Sequence, residues 1–390
     1  MYTPDFSALE PMMRGIFDGH TVERETVMFL DRGDEKTLLF PIDEVISVTS
    51  YDGSTVYEAG KDYVVSGGNL RLTPDSGIPC ITRAAYYDVP ESILQTEYQG
   101  RNVLTHWGEY APMTDWQISV TYTHTTPWEG FRSPCQSACF SRFLEKLQKG
   151  EDVTVFFYGD SITHGCNASW MNDSGMRQYP YPILFTHALA DLYGYTVRYQ
   201  PSGITEAPVP HRLPDGDYAA GTRGVIHYVN TAIGGWTSLD GVNRFDTYVA
   251  PQVKAYGCDL FVIAFGMNDG GWLPLQTVGN LAAVVDGVRA LCPDMSAVLV
   301  ATMVPNPKAT NGWYGHQAEQ EAVLTAQARA YCDDGLPCGV CPMTSVSLSV
   351  LTRKDFHDYS GNNINHPNDF FGRVYAQTLL QALIGYENMT

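Results

Sequence analysis

The sequence predicts two architectures in series. Residues 1–130 read as an all-β region of sandwich or jelly-roll kind, and residues 151–390 as an α/β domain whose parallel sheet is covered by helices on both faces; 131–150 forms a linker and helix. Two observations carry this. Before residue 130, short alternating segments are broken by turn signals such as Asp52-Gly53, Gly67-Gly68 and Pro74-Asp75-Ser76-Gly77, with few helical periods. From Asp152 onward, apolar runs of strand length alternate with helical segments, which implies right-handed crossovers and a parallel sheet.

In the first region the expected strands are Val22–Leu30, Thr37–Phe40, Val45–Thr49, Tyr63–Val65, Asn69–Leu72, Cys80–Tyr86 and Gln117–Thr123. Aromatic residues gather late in it, at Trp107, Tyr110, Trp116, Tyr122 and Trp128, and are read as core in preference to a sugar-binding face. Pro127–Pro134 reads as linker. Ser137–Gln148 then carries Phe140, Phe143, Leu144 and Leu147 at helical spacing, a stripe that should pack on the domain that follows. The α/β strands are expected at Val153–Tyr158, Thr196–Tyr199, Val225–Asn230, Leu260–Phe265, Ala297–Ala301 and Val340–Met343. Its helices are expected at Tyr181–Tyr193, Asp246–Ala255, Val278–Leu291, Gln317–Cys332 and Asn368–Ile384, with Pro201–Gly224 an insertion.

Composition narrows the function. A formal charge of -19, from 43 acidic and 24 basic residues, disfavours phosphate backbones and anionic bilayers, so neither nucleic acid nor membrane is expected as a partner. No run of about 18 apolar residues occurs and the N-terminus lacks a basic region followed by an apolar core, so the expectation is a cytoplasmic chain. The nine cysteines form only two close pairs, Cys135/Cys139 and Cys338/Cys341. The second has CxxC spacing but no companion pair, so buried free thiols are expected in preference to zinc or redox use.

The candidate chemistry lies at strand ends. Val153–Tyr158 runs into Gly159-Asp160-Ser161-Ile162-Thr163-His164-Gly165, which presents Ser161 where a nucleophile belongs in an open α/β sheet. Taken alone, that stretch is equally a turn with helix-capping residues. Three later stretches supply what acyl transfer needs. Asn230 to Ser238 contains Gly234-Gly235, where a backbone N–H can approach a substrate oxygen; Gly266-Met267-Asn268-Asp269 offers a neutral amide donor; and His366-Pro367 stands at a loop-to-helix boundary as a general base.

In that order these stretches resemble the four sequence blocks of the SGNH (GDSL-type) hydrolase family, over roughly Asp152 to Ile384. The resemblance implies a flavodoxin-like three-layer α/β/α sandwich and no metal or organic cofactor. It implies Ser161 as nucleophile, His366 as base, and an oxyanion hole of Ser161 N–H, Gly235 N–H and the Asn268 amide. One position departs from the pattern: the family commonly has an aspartate three residues before the histidine, and this chain has Asn363. Some carbohydrate esterases resembling the family, with an N-terminal β-sandwich, work as dyads, so the expectation is a Ser161–His366 dyad with Asn363 helping to position the ring. Asp355, Asp358 and Asp369 are the alternative acids. Asp160 is expected to tie the serine turn to its neighbours and, with Trp236 and Trp272, to line the substrate pocket.

The expected activity is hydrolysis of short-chain, acetyl esters of a small-molecule or oligosaccharide alcohol. A lipid esterase or thioesterase of the same family and a non-catalytic carbohydrate-binding protein are the alternatives. The oligomeric state is not legible in the sequence.

Overall fold

The computed structural model describes residues 13, 15–89, 97–106, 112–171, 178–205, 215–218, 221–308 and 313–385. Trp107 and Tyr110 lie outside the described residues, as does much of the insertion.

The α/β domain is built on seven strands: β10 (Val153–Gly159), β11 (Thr196–Tyr199), β12 (Gly216–Tyr218), β13 (Val225–Asn230), β14 (Leu260–Ala264), β15 (Ser296–Ala301) and β16 (Cys338–Pro342). Their spatial order is β12-β11-β13-β10-β14-β15-β16, parallel except for the edge strand β12, which the insertion contributes. β10 is central, paired in parallel with β13 on one side and β14 on the other. The chain leaves β10 for one half of the sheet and later crosses to the other, so the loops after β10, β13 and β14 open around one crevice at the carboxyl ends of the strands.

Strand periodicity sorts the apolar residues into two layers. Val153, Val155 and Phe157 of β10 face one core with helices Tyr181–Tyr193 and Asp369–Ile384. Phe156 and Tyr158 face the other, with helices Ala250–Tyr256, Pro274–Leu291 and Gln317–Asp333. The same alternation separates Leu260 and Val262 of β14 from Phe261 and Ile263. Burial on both faces explains why these strands read as unbroken apolar runs. The sequence did not show helix Met343–Leu351, which follows β16 directly.

The N-terminal region contains β1 (Thr21–Leu30), β2 (Glu35–Lys36), β3 (Glu44–Ser50), β4 (Tyr63–Ser66), β5 (Asn69–Leu72), β6 (Cys80–Ile81), β7 (Glu97–Tyr98), β8 (Arg101–Asn102) and β9 (Gln117–Thr123). They form sheets of order β3-β9-β1-β6, β2-β5-β4 and β7-β8. Two expected strands differ. Thr37–Phe40 leaves the ladder after β2, because side chains satisfy its backbone: Leu39 N–H donates to Glu25 Oε1 and Phe40 N–H to Tyr122 Oη. Cys80–Tyr86 divides at Thr82, whose hydroxyl accepts from Ala85 N–H at 3.1 Å and caps helix Arg83–Tyr87.

Tyr122 and Trp128 are buried in a core that does not stop at the linker. One continuous apolar cluster runs from Val27 and Phe29 of β1 through Phe140, Phe143 and Leu147 to Val155 and Phe157 of β10 and Val374 and Leu380 of the last helix. The two regions differ in strand content and share their packing.

Candidate active site

Ser161 is placed by its own neighbourhood. β10 ends at Gly159, paired with Ala264 of β14, and Asp160 N–H donates to Ala264 O. The Asp160 side chain then accepts from Ile162 N–H at 3.0 Å and caps the single helical turn Ser161–His164. As the first residue of that turn, Ser161 has a backbone N–H that the helix does not use. Asp160 thus serves the turn, as expected, and a further bond to the Met267 backbone ties it to the loop after β14.

His366 closes on the serine from the opposite end of the chain. Its Nε2 lies 2.8 Å from Ser161 Oγ, and its Nδ1 lies 2.5 Å from the side-chain oxygen of Asn167. With Asn167 accepting from Nδ1–H, Nε2 carries the lone pair and accepts the serine hydroxyl proton. Asn167 was not legible in advance. It stands six residues after the serine, in left-handed backbone with φ 66° at the end of the serine turn, a conformation that asparagine tolerates. Gly361 makes room for it: a Cβ there would lie 2.6 Å from Asn167 Cβ.

Asn363 does not meet the imidazole itself, so any part it has in positioning His366 runs through the loop. The Asn363 backbone is left-handed at φ 57°, and its amide nitrogen donates away from the ring, to Tyr86 Oη at 2.8 Å and Leu104 O at 2.7 Å. The alternative acids are engaged elsewhere too. Asp355 and Asp358 bind Lys36, and Asp369 Oδ1 accepts from Ser169 N–H at 2.8 Å in the first turn of the last helix.

The loops that carry the expected oxyanion donors meet beside the serine turn. A Cβ added at Gly234 would lie 3.7 Å from Ser161 Cβ, so the loop after β13 passes beside the nucleophile. Gly235 follows at φ 79°, a conformation that suits glycine. Asn268 donates one amide N–H to Trp236 O at 2.9 Å, and Asp269 Oδ1 accepts from Ser238 N–H at 2.8 Å. These two bonds fix the loop after β14 against the loop after β13, and an asparagine amide has a second N–H to offer.

The tryptophans separate. Trp236, partly buried, packs on Tyr158 and Tyr248 beneath the Arg244 guanidinium, against the second core. Trp272 lines a narrow cleft, with room for about one water molecule, together with Trp313, His316, Gln317, Gln320 and Asp269, bordering the Asn268 loop. A second, more apolar cleft begins at His164, one turn beyond the serine, among Trp170, Ile183, Tyr199 and Tyr228; it includes neither Ser161 nor His366.

Burial sets the electrostatics. It pushes the His366 imidazole down to about 4, which keeps the ring neutral at pH 7 with its Nε2 lone pair free to accept a proton. It pushes the Asp160 carboxyl up to about 7, with the Asp269 charge adding to the rise and the N–H groups of Ile162 and Met267 opposing it. Among the described residues, Asp355, His357 and Asp358 are the only cluster with metal-ligand spacing, and a lysine fills it. Lys36 Nζ lies 3.2 Å from Asp355 Oδ2, 3.2 Å from His357 Nε2 and 3.3 Å from Asp358 Oδ2. The thiols of Cys338 and Cys341 are free and buried on opposite faces of the sheet, so they cannot share a ligand.

A family profile described as GDSL-like Lipase/Acylhydrolase matches residues 157–370, more than half of the chain, from the end of β10 into the last helix. The chain belongs to this family. The matched segment begins in the strand that leads into Ser161 and passes His366. No curated protein matches the sequence significantly. Solved structures resembling this hydrolase include a two-domain esterase active on acetylated mannans, with 18% identity, TM-score 0.44, and coverage of 66% of this chain and 54% of that one. A GDSL-like lipase from Parabacteroides merdae aligns with 16% identity, TM-score 0.41, and coverage of 60% and 95%. A catalytic mutant of an acetylxylan esterase from Geobacillus stearothermophilus aligns with 16% identity, TM-score 0.41, and coverage of 60% and 94%. The chain thus spans about half the length of the two-domain esterase.

Proposed function

We propose that this acylhydrolase is a serine esterase that removes a short acyl group, acetyl, from a carbohydrate alcohol. The observation that carries the catalytic part is the 2.8 Å contact between Ser161 Oγ and His366 Nε2 at the carboxyl end of the central strand. Ser161 attacks the ester carbonyl as His366 takes its proton. The backbone N–H groups of Ser161 and Gly235 and the Asn268 amide hold the developing oxyanion. His366 then returns the proton to the leaving alcohol, and water, activated by the same imidazole, releases the acyl group from Ser161. Asn167 takes the place at Nδ1 that an aspartate commonly fills. A neutral amide keeps the productive tautomer but stabilises the imidazolium less than a carboxylate does.

The carbohydrate part rests on the cleft beside Asn268. Trp272 and Trp313 both border it, and indole rings suit the flat C–H faces of a sugar. Ser161→Ala tests the reading: hydrolysis of p-nitrophenyl acetate should fall by at least about a thousandfold, in line with removal of the nucleophile elsewhere. Retention of most of the rate sinks it. A series of p-nitrophenyl esters from acetyl to decanoyl should peak at the short end, and a peak at long chains would make the protein a lipid esterase instead.

A further inference from the structure

We infer that Gln117 and Tyr86 position His366, so that the N-terminal β region is part of the catalytic apparatus and not an appended module. The inference rests on the reading of His366 as the base.

His366 sits on a closed loop whose neck is the bridge between Ser360 and Pro367. Gln117, the first residue of β9 and 1% exposed, reaches both sides of that neck. Its Nε2 donates to His357 O at 2.7 Å and to Ser360 O at 2.8 Å, and its Oε1 accepts from Asn368 Nδ2 at 3.0 Å. The path to the base is then short: Ser360 Oγ donates to His366 O at 2.8 Å, and Gly361 N–H to the same oxygen at 3.1 Å. On the far side Asn368 caps the last helix, its Oδ1 accepting from Phe371 N–H at 3.2 Å, so one amide links the neck to the rigid element behind it. β9 is an interior strand paired to both β1 and β3, which fixes where Gln117 starts.

The crown of the loop is held from the same region. Asn363 donates to Tyr86 Oη and Leu104 O, and His106 N–H donates to Asn362 O at 3.0 Å. Asn362 Oδ1 in turn accepts the N–H groups of Ile364, Asn365 and His366 at 2.9 to 3.1 Å. Ser360, Asn362, Asn363, Asn365 and Asn368 are all buried, so the loop carries many polar groups that need partners. It has no regular secondary structure to supply them, and beyond its own Asn362 and Ser360 it draws on Gln117 of β9, Tyr86 of helix Arg83–Tyr87 and the segment with Leu104 and His106. A neutral amide at 117 gives two donations and one acceptance at once; glutamate would lose both donations, and methionine all three.

The test is steady-state kinetics of the full chain on p-nitrophenyl acetate across pH, for wild type, Gln117→Met and Tyr86→Phe, below each variant's melting temperature. Gln117→Met should lower kcat roughly tenfold to a hundredfold, with KM within about threefold, because a base displaced by about an ångström loses that much. The acid limb of kcat/KM should also move up in pH as water reaches the ring and its pKa returns toward about 6.5. Tyr86→Phe, which deletes one hydroxyl, should change both in the same direction by less. A lower melting temperature with kcat and the acid limb unchanged would mean that these residues only stabilise the fold, and would overturn the inference. Should Gln117→Met not fold, Tyr86→Phe decides by the same two readouts. Failure of the underlying reading shows separately: His366→Ala would then hydrolyse the ester as fast as wild type.

Discussion

Ser161 is held by its own sequence neighbourhood, whereas His366 is held by residues hundreds of positions away. The serine turn needs a strand that ends, a capping aspartate and one helical turn, all between Val153 and Gly165. The histidine loop has bonds of its own from Ser360 and Asn362, but its outward carbonyls, amides and left-handed Asn363 find partners in β9, in helix Arg83–Tyr87 and in Asn306. A dyad made this way forms only when the whole chain has folded. The difference teaches that the two halves of one catalytic contact can respond to mutation in different ways, one through chemistry and the other through distant packing.

The largest effect that separates the two lies on the distant side. Lys354 and Glu25 form an ion pair with both side chains fully buried, joining the segment before the histidine loop to β1. Lys354→Met leaves the Glu25 carboxylate buried without its cation and should cost about 3–5 kcal/mol of stability. Chemical denaturation measures it, and a loss under 1 kcal/mol would show the two regions to be less interdependent than the shared core implies. On the local side, Asn268→Ala should lower kcat roughly a hundredfold or more with little change in melting temperature. A loss below threefold would remove Asn268 from the oxyanion hole.

Between the two stands Asn167, local in sequence to the serine and in contact with the distant histidine. Asn167→Ala should lower kcat by about tenfold, since the ring keeps its serine contact but loses the group that fixes its tautomer. Asn167→Asp places a carboxylate against Nδ1 and should raise the acid limb of kcat/KM, because a negative neighbour favours the imidazolium. An unmoved limb in Asn167→Asp would mean that the side chain does not face the ring. The smallest effect is the position of the limb in the wild type. Burial lowers the His366 pKa to about 4, so activity is retained as pH falls through 6.5 and is lost only as it nears the lower value. A pH–rate profile that already breaks near 6.5 would describe a solvated histidine.

Much of the α/β half was legible because its signals are local and periodic. Val153–Tyr158, Leu260–Phe265 and Ala297–Ala301 read as buried strands from their unbroken apolar runs, and helix Tyr181–Tyr193 has the bounds its pattern gives. Ser161 and His366, far apart in sequence, were paired through motif order. The position that misled was Asn363, where motif spacing pointed to a ring partner. Left-handed backbone and two buried acceptors turn that side chain toward Tyr86 and Leu104 instead. Asn167 had no pattern to announce it, because a turn asparagine looks the same whether its amide meets water or an imidazole.

By itself, then, the sequence determined the serine turn, the alternation of strand and helix, and the order in which Ser161, Gly235, Asn268 and His366 follow one another at strand and helix ends. Hydrophobic periodicity and turn chemistry act over a few residues and are written in them. Only the tertiary structure decided which asparagine meets His366, and that the β region shares a core with the catalytic layer and clasps the histidine loop through Gln117. Those outcomes depend on the direction of single side chains across contacts between residues hundreds of positions apart, where no local period operates.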